Sequence, residues 1–398
     1  MNLEPDDGLS MFDKSDEQFP IKKNYTFLAH CGVSPLFARA CSMVQEISEG
    51  QRDHGVLYIV ERYLAILEGL HAAAACLMKT SASNISFVKN TSEGMNLIAS
   101  GYPFSPGDEI VVFEHEYPAV YYPWKLQETR SARLVLLPGK SQQTENGTEP
   151  SFSWSLGDLQ KLISSRTRVL AISHVQFTSG YAADLEEVGS FCKKHRIDLI
   201  IDAAQSLGCL PVFPEQHGIA AVVSSGWKWL LGPVGSGLMY TSEEFRHKIG
   251  HVAVGAETMR QGMDYLDHSW DPQDTARRFE YSTSPVSLAA GLVTCIRDLF
   301  LNYTIESVWQ EIMQLQDIFL DHLDQELWHI EQYSPEHRSG ILSLSCCNPD
   351  DIARQLLEHG IICSPRAGFV RIAPHFYNSK HEMVQTAAAL NAIKMSKK

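Results

Sequence analysis

A single lysine, Lys228, stands between two tryptophans in the stretch Ser224-Ser-Gly-Trp-Lys-Trp-Leu-Leu-Gly-Pro-Val-Gly-Ser-Gly-Leu-Met-Tyr240. The apolar run 219–223 before it has strand composition. A glycine-rich turn after it leads into another short apolar run. A lysine held between two buried strands and walled by aromatics is costly as an isolated cation. Burial lowers its pKa and makes the amine a nucleophile, suited to forming a Schiff base with a carbonyl. The same motif taken alone also describes a surface lysine whose stem lies on tryptophan. The rest of the chain decides between the two.

Strand-like runs at 85–88, 109–113, 133–137, 168–173 and 198–202 alternate with stretches of helical spacing. This predicts an α/β fold: a large domain with a mainly parallel sheet flanked by helices. Ligands of such sheets collect at the carboxyl ends of the strands. Asp202 closes the run Asp-Leu-Ile-Ile-Asp, and Gln176 follows the run 168–173. The hydroxyl-rich Lys89-Asn-Thr-Ser-Glu-Gly94 follows 85–88. It reads as a helix start, either an ordinary cap or an anion site. The stretch Glu114-His-Glu-Tyr-Pro-Ala-Val-Tyr-Tyr-Pro-Trp124 brings aromatic faces that can cover a flat ring. A carboxylate at a buried strand end can keep a pyridine nitrogen protonated, and Gln205 can bond a ring substituent. Asp202 followed by Lys228, one strand later, therefore points to pyridoxal phosphate. Nearer the N-terminus, Tyr25-Thr-Phe-Leu-Ala-His-Cys-Gly-Val-Ser-Pro-Leu36 breaks at Gly32 and Pro35. His30 sits at that hinge, which is either a structural turn or part of a site.

The 398 residues suffice for two domains, and the net charge is −14. That balance opposes general affinity for nucleic acid or an anionic membrane, so an anionic cofactor needs local donors. Nine cysteines without a Cys-x-x-Cys argue against a zinc site or a disulfide framework and fit a reducing cytoplasm. The first twenty residues are acidic and polar, which is unlike a secretory signal. No apolar run reaches membrane-spanning length. The expected location is cytoplasmic, with no metal, no nucleic acid and no membrane partner.

Taken together, these residues resemble the fold-type I pyridoxal-phosphate enzymes. More narrowly, the chain is similar to the class V aminotransferase family, which includes cysteine desulfurases and isopenicillin-N-epimerase-like proteins. The resemblance runs from Tyr25 to Tyr377 and implies a smaller α/β domain built from the two chain ends. The expected division is a flexible tail over 1–22, the N-terminal part of the small domain over 23–50, a large cofactor domain over 51–285, and a linking helix with the rest of the small domain over 286–398. By that resemblance Lys228 carries the cofactor and Asp202 partners its ring nitrogen. Gln205 and Gln176 lie near the ring, and Trp227 stands where desulfurases commonly have histidine. Thr91, Ser92 and Ser225 bind phosphate, and Tyr117 takes the place of a stacking histidine. Thr283 reaches the neighbouring site of a homodimer. Arg371 grips the substrate carboxylate, with His30 nearby.

The implied function is chemistry at the α-carbon of an amino acid through an external aldimine and carbanion. Transamination is the preferred outcome, and a C–S lyase, cysteine desulfurase or epimerase is the alternative. A pyridoxal-phosphate-binding regulator is the non-enzymatic alternative, opposed by the net charge and by the lack of anything resembling a DNA-binding domain. One departure bears on the outcome. The segment Cys363-Ser-Pro-Arg-Ala-Gly-Phe-Val-Arg371 is short and lacks the loop cysteine that accepts sulfur in one desulfurase subgroup.

Overall fold

The structure, a computed structural model, describes residues 11–144, 147–150 and 152–395. Seven strands form the main sheet. They are β1 (Ile85–Val88), β2 (Glu109–Phe113), β3 (Arg133–Leu137), β4 (Thr167–Ser173), β5 (Asp198–Asp202), β6 (Ala221–Ser225) and β7 (Gly237–Thr241). Their spatial order is β1-β7-β6-β5-β4-β2-β3. Strands β2 to β6 are parallel, whereas β7 runs antiparallel to both β6 and β1.

Successive side chains of a strand point to opposite faces, so each apolar run feeds two cores. Val111, Phe113, Leu170, Ile172, Leu199 and Ile201 enter one, and Ile110, Val112, Val169, Ala171 and Ile200 enter the other. A sheet covered on both faces needs apolar residues at nearly every position, which is why these strands do not alternate with polar residues. Helices α1 (Val56–Met78) and α3 (Leu185–His195) supply Leu67, Leu70, Val188 and Phe191 to the first core. Helix α2 (Thr91–Gly101) supplies Met95 and Ile98 to the second. It lies unusually near the sheet. A methyl group at Gly94 would stand 2.5 Å from Val223 Cγ1, so only glycine permits this approach.

A second, antiparallel sheet contains β8 (His329–Ile330), β9 (Leu342–Ser345), β10 (Ser364–Arg366) and β11 (Phe369–Ile372), in the order β8-β9-β11-β10. Helices α4 (Ile305–His322) and α5 (Lys380–Met395) cover it, with Leu315, Phe319, Met383 and Leu390 meeting Leu344, Val370 and Ile372. The chain's beginning joins this unit, because Thr26–Phe27 pairs in parallel with Ile361–Ile362.

The tail expected over 1–22 needs correction from Met11 onward, and residues 1–10 lie outside the described residues. Phe19 stacks on Tyr377 with ring centroids 4.0 Å apart, and Phe12 meets Phe376 at 5.2 Å. Two phenylalanines in an otherwise acidic stretch carry enough apolar surface to dock it.

Candidate active site

The carboxyl-terminal side of β5 and β6 opens into a cavity of about 670 Å³. Lys228 lines it, on the connection between β6 and β7. The two strands pair normally, with Gly237 opposite Ser225. The connection is pinched at its base, where the Gly226 N–H donates to the Ser236 carbonyl at 2.7 Å and the Gly232 N–H to the Gly226 carbonyl at 2.8 Å. The two tryptophans divide the work. Trp229 is fully buried, and its indole N–H donates to Gln205 Oε1 at 3.0 Å, while Trp227 faces the cavity.

Burial pulls the Lys228 ammonium below the ordinary lysine range, and the charge of Asp202 opposes that shift. Its Nζ lies 5.5 Å from the centroid of the Tyr117 ring. Asp202 is buried at the end of β5, where its Oδ1 accepts the Ala204 N–H at 2.8 Å. Burial pushes its carboxyl up to about 6, against the pull of Lys228.

At another side of the cavity, Asn90 caps α2 by accepting the Glu93 N–H at 2.8 Å. Thr91 Oγ1 and Ser225 Oγ are both buried without a hydrogen-bond partner, and both residues line the cavity. Buried hydroxyls are rarely left unpaired, and a helix N-terminus attracts anions. An oxygen-rich anion answers both conditions.

Arg371, on β11, is 2% exposed. Its Nη1 donates to the Phe177 carbonyl at 2.6 Å, its Nη2 to Ser364 Oγ at 2.5 Å and its Nε to the Ser364 carbonyl at 3.4 Å. All three acceptors are neutral. A buried guanidinium held this way keeps its charge and its remaining N–H groups for a carboxylate.

Four expected site residues do not line the cavity: Asp202, which acts on Lys228 by its charge, and three that lie elsewhere. Gln176 does not line the cavity. Its Nε2 donates to the His115 carbonyl at 2.7 Å, and its Oε1 accepts the Thr178 and Ser179 N–H groups, so the amide is consumed in shaping the turn. His30 is fully buried and also off the cavity. Its Nδ1–H donates to the Ala373 carbonyl and its Nε2 accepts from the Tyr377 hydroxyl, both at 2.7 Å. Burial holds that imidazole well below its usual range, hence neutral. Its neighbours Cys31 and Gly32 line the cavity instead. The same segment is laced to Gln205, which follows β5, and to the lysine connection. Gln205 Nε2 donates to the Cys31 carbonyl at 2.9 Å, the Ser34 N–H to the Trp227 carbonyl at 2.9 Å and the Phe37 N–H to the Leu231 carbonyl at 3.1 Å. Thr283 is exposed and lines a separate cavity of about 680 Å³ with Tyr63 and Leu64.

Three further residues belong to the site and were not singled out from the sequence. Phe177 lines the cavity and packs edge-on against Tyr117, with centroids 5.3 Å apart. Glu116 accepts from the Ser173 N–H at 2.7 Å and the Ser173 hydroxyl at 2.5 Å, which ties the Tyr117 segment to the end of β4. Burial, helped by the charge of Asp202, pushes the Glu116 carboxyl up to about 7. Arg366 lines the mouth of the cavity. A charged residue inside an aromatic run and a second arginine near Arg371 are the sequence signals that point to Glu116 and Arg366.

The family model for aminotransferase class V matches residues 38–376. The chain belongs to the class V aminotransferase family. A probable cysteine desulfurase from Methanothermobacter thermautotrophicus is 24% identical, over 94% of this chain and 96% of its own length. Among solved structures, the apo cysteine desulfurase of Thermococcus onnurineus NA1 superposes with a TM-score of 0.83 at 23% identity, covering 95% of this chain and 96% of that one. The cystine C–S lyase C-DES, solved with its product cysteine persulfide, gives 0.84 at 21% identity, covering 94% and 99%. These class V structures share the sheet order's α/β architecture, which is pyridoxal-phosphate fold type I. The cofactor of the family is pyridoxal phosphate, and the residues here fit it: orphaned hydroxyls at a helix start, an amine with a lowered pKa, and a buried carboxylate beside that amine.

Proposed function

We propose that this pyridoxal-phosphate enzyme is a C–S lyase, which removes the Cα proton of an amino acid and expels a sulfur substituent from Cβ. Thr91, Ser92 and Ser225 would hold the cofactor's phosphate, Asp202 its ring nitrogen, Tyr117 its ring face and Lys228 its aldehyde carbon. When bound, the cofactor supplies a covalent hold on the substrate amine and a ring that accepts the charge left at Cα. Arg371 orients the substrate by its carboxylate. Lys228 Nζ takes the Cα proton, and burial, which disfavours its ammonium form, suits it to act as a base. Phe177, Trp227 and Val234 surround the reacting region and limit water.

Transamination was the preferred sequence reading, but the names of the similar proteins favour C–S cleavage. The observation that carries direct elimination, as opposed to sulfur transfer onto the enzyme, is the hairpin before Arg371. Its turn, Ala367 at φ 47° and Gly368 at φ 86°, joins β10 to β11 with no cysteine, so no thiol is borne on a mobile loop there. Cys363 is half-buried, and burial pushes its thiol up to about 12. With L-cysteine and water the expected products are pyruvate, ammonia and sulfide in equal amounts. Alanine with a protein-bound persulfide would instead identify a desulfurase, with Cys31 the thiol to test. A keto acid that retains its side chain would identify an aminotransferase.

The reading includes a homodimer. Helix α1 exposes Leu57, Val60 and Leu64 beside the cavity that contains Thr283, and Met263 and Tyr265 stand exposed on the facing segment. A second copy covering this apolar surface would bring its own Thr283 toward the partner's site. Light scattering is expected to give twice the chain mass, and a monomer at working concentration would remove this part of the proposal.

A further inference from the structure

Lys89, Lys228, Arg366 and Arg371 line the active-site cavity, and among the described residues no Asp or Glu lines it. In a chain with a net charge of −14 this wall is locally cationic, and such a cleft concentrates anionic ligands. Two of the four charges are answered by the protein itself. Lys89 Nζ lies 3.2 Å from Glu93, and Lys228 faces the charge of Asp202. Arg371 is the candidate for the substrate's α-carboxylate. Arg366 is left over. It ends β10 and is held at the rim by the tight turn into β11, opposite Phe369. Its side chain is exposed, and among the described residues no hydrogen bond or ion pair engages it. Its charge is nonetheless felt at the centre of the site. Burial is the largest influence lowering the pKa of Lys228 and of Arg371, and Arg366 adds to it in both cases.

We propose that Arg366 is a specificity-determining residue that receives a second anionic group of the substrate. The substituent leaving from Cβ then carries a carboxylate or sulfonate at its far end. This deepens the C–S lyase reading and rests on it for the leaving sulfur. The substrate class is a cysteine S-conjugate with an acidic tail. Its α-carboxylate lies on the buried Arg371 and its tail on the exposed Arg366, and the two arginines are joined through one short hairpin. A cation at the rim also suits a product that must leave, since a solvent-screened contact releases its anion more readily than a buried one.

Binding without turnover tests this apart from the reaction. Adipate spans roughly the length of such a conjugate, and pentanoate lacks its second charge. Calorimetry on the holoenzyme is expected to show adipate binding about tenfold or more tightly than pentanoate, as one charge-assisted contact allows. In Arg366→Gln that preference should collapse toward unity, mainly through lost adipate affinity, and Arg366→Lys should restore part of it. In turnover, the same variant should lower kcat/KM for S-carboxymethylcysteine by a clearly larger factor than that for S-propylcysteine. Equal weakening of adipate and pentanoate would overturn the proposal, because Arg366 would then share the α-carboxylate with Arg371. Lack of any preference in the parent enzyme would overturn it as well. An adipate preference in an enzyme that expels no sulfur would leave this inference standing and remove the lyase reading.

Discussion

Lys228→Ala abolishes the borohydride-reducible link between cofactor and protein and lowers turnover on the order of a thousandfold or more. The estimate takes general-base catalysis alone at roughly 10²–10⁴ in rate, before the lost covalent hold on the cofactor is counted. The fold should survive. The connection that carries Lys228 is closed by the backbone at Gly226 and Gly232 and by the Trp229 indole, none of which involves the lysine side chain. Removing a cation that burial disfavours should leave the cofactor-free protein at least as stable as the parent. Peptide mapping after borohydride reduction provides the check. An adduct found on Lys89, the other lysine of the cavity, would displace Lys228 from its role.

Asp202→Asn should cost on the order of a hundredfold in rate while leaving most of the cofactor bound. The substitution keeps the shape and the Ala204 N–H bond but removes the charge beside the ring nitrogen. Losing a placed charge in a water-excluded site is worth roughly 10²–10³ in rate. Retention relies on Lys228, Thr91 and Ser225, which the substitution leaves untouched. The variant also has a pH signature in the cofactor-free protein. The folded carboxyl titrates near 6 and its ordinary value is 3.8, so the folded state holds the proton more tightly. The stability it contributes is fully present below about 3.8 and is lost as pH rises through about 6. Denaturant titrations across that window should slope downward in the parent and less steeply in Asp202→Asn, where the raised Glu116 carboxyl still contributes. Activity within a few-fold of the parent would rule out the electron-sink role.

What local sequence makes legible is what local structure decides. Asp202, Ser225 and Thr91 are legible as candidates because each sits where a buried strand ends or a helix begins, and the ends of parallel strands are where such sheets bind. Arg371 came with the family resemblance, on a strand of the second sheet. Gln176 and His30 misled for the opposite reason. Each is a polar residue near a strand end or hinge, but its bonding capacity is taken by partners that no local pattern announces. Those of His30 come from Ala373 and Tyr377, at the other end of the chain. Glu116 and Arg366 were passed over because their segments already had an explanation, aromatic cover in one case and a missing cysteine in the other. Phe12 and Phe19 were lost in an acidic composition although two rings outweigh several solvated charges once Phe376 and Tyr377 arrive to receive them.

The lacing of residues 30–37 has a bearing on how the chain comes into being. His30 is bonded to Ala373 and Tyr377, Cys31 to Gln205 after β5, and Ser34 and Phe37 to the connection that bears Lys228. Residues 30–37 therefore leave the ribosome well before their partners, part of which follow with Lys228 and the rest only with Ala373 and Tyr377. The main sheet, complete at Thr241, can assemble on the nascent chain with the Thr91 and Ser225 hydroxyls and Lys228 in place. The wall that carries Arg366 and Arg371 does not yet exist at that moment. A chain still in translation is thus a half-built vessel for a reactive aldehyde, and closure of the vessel waits on the second sheet and the helix α5 that packs on it.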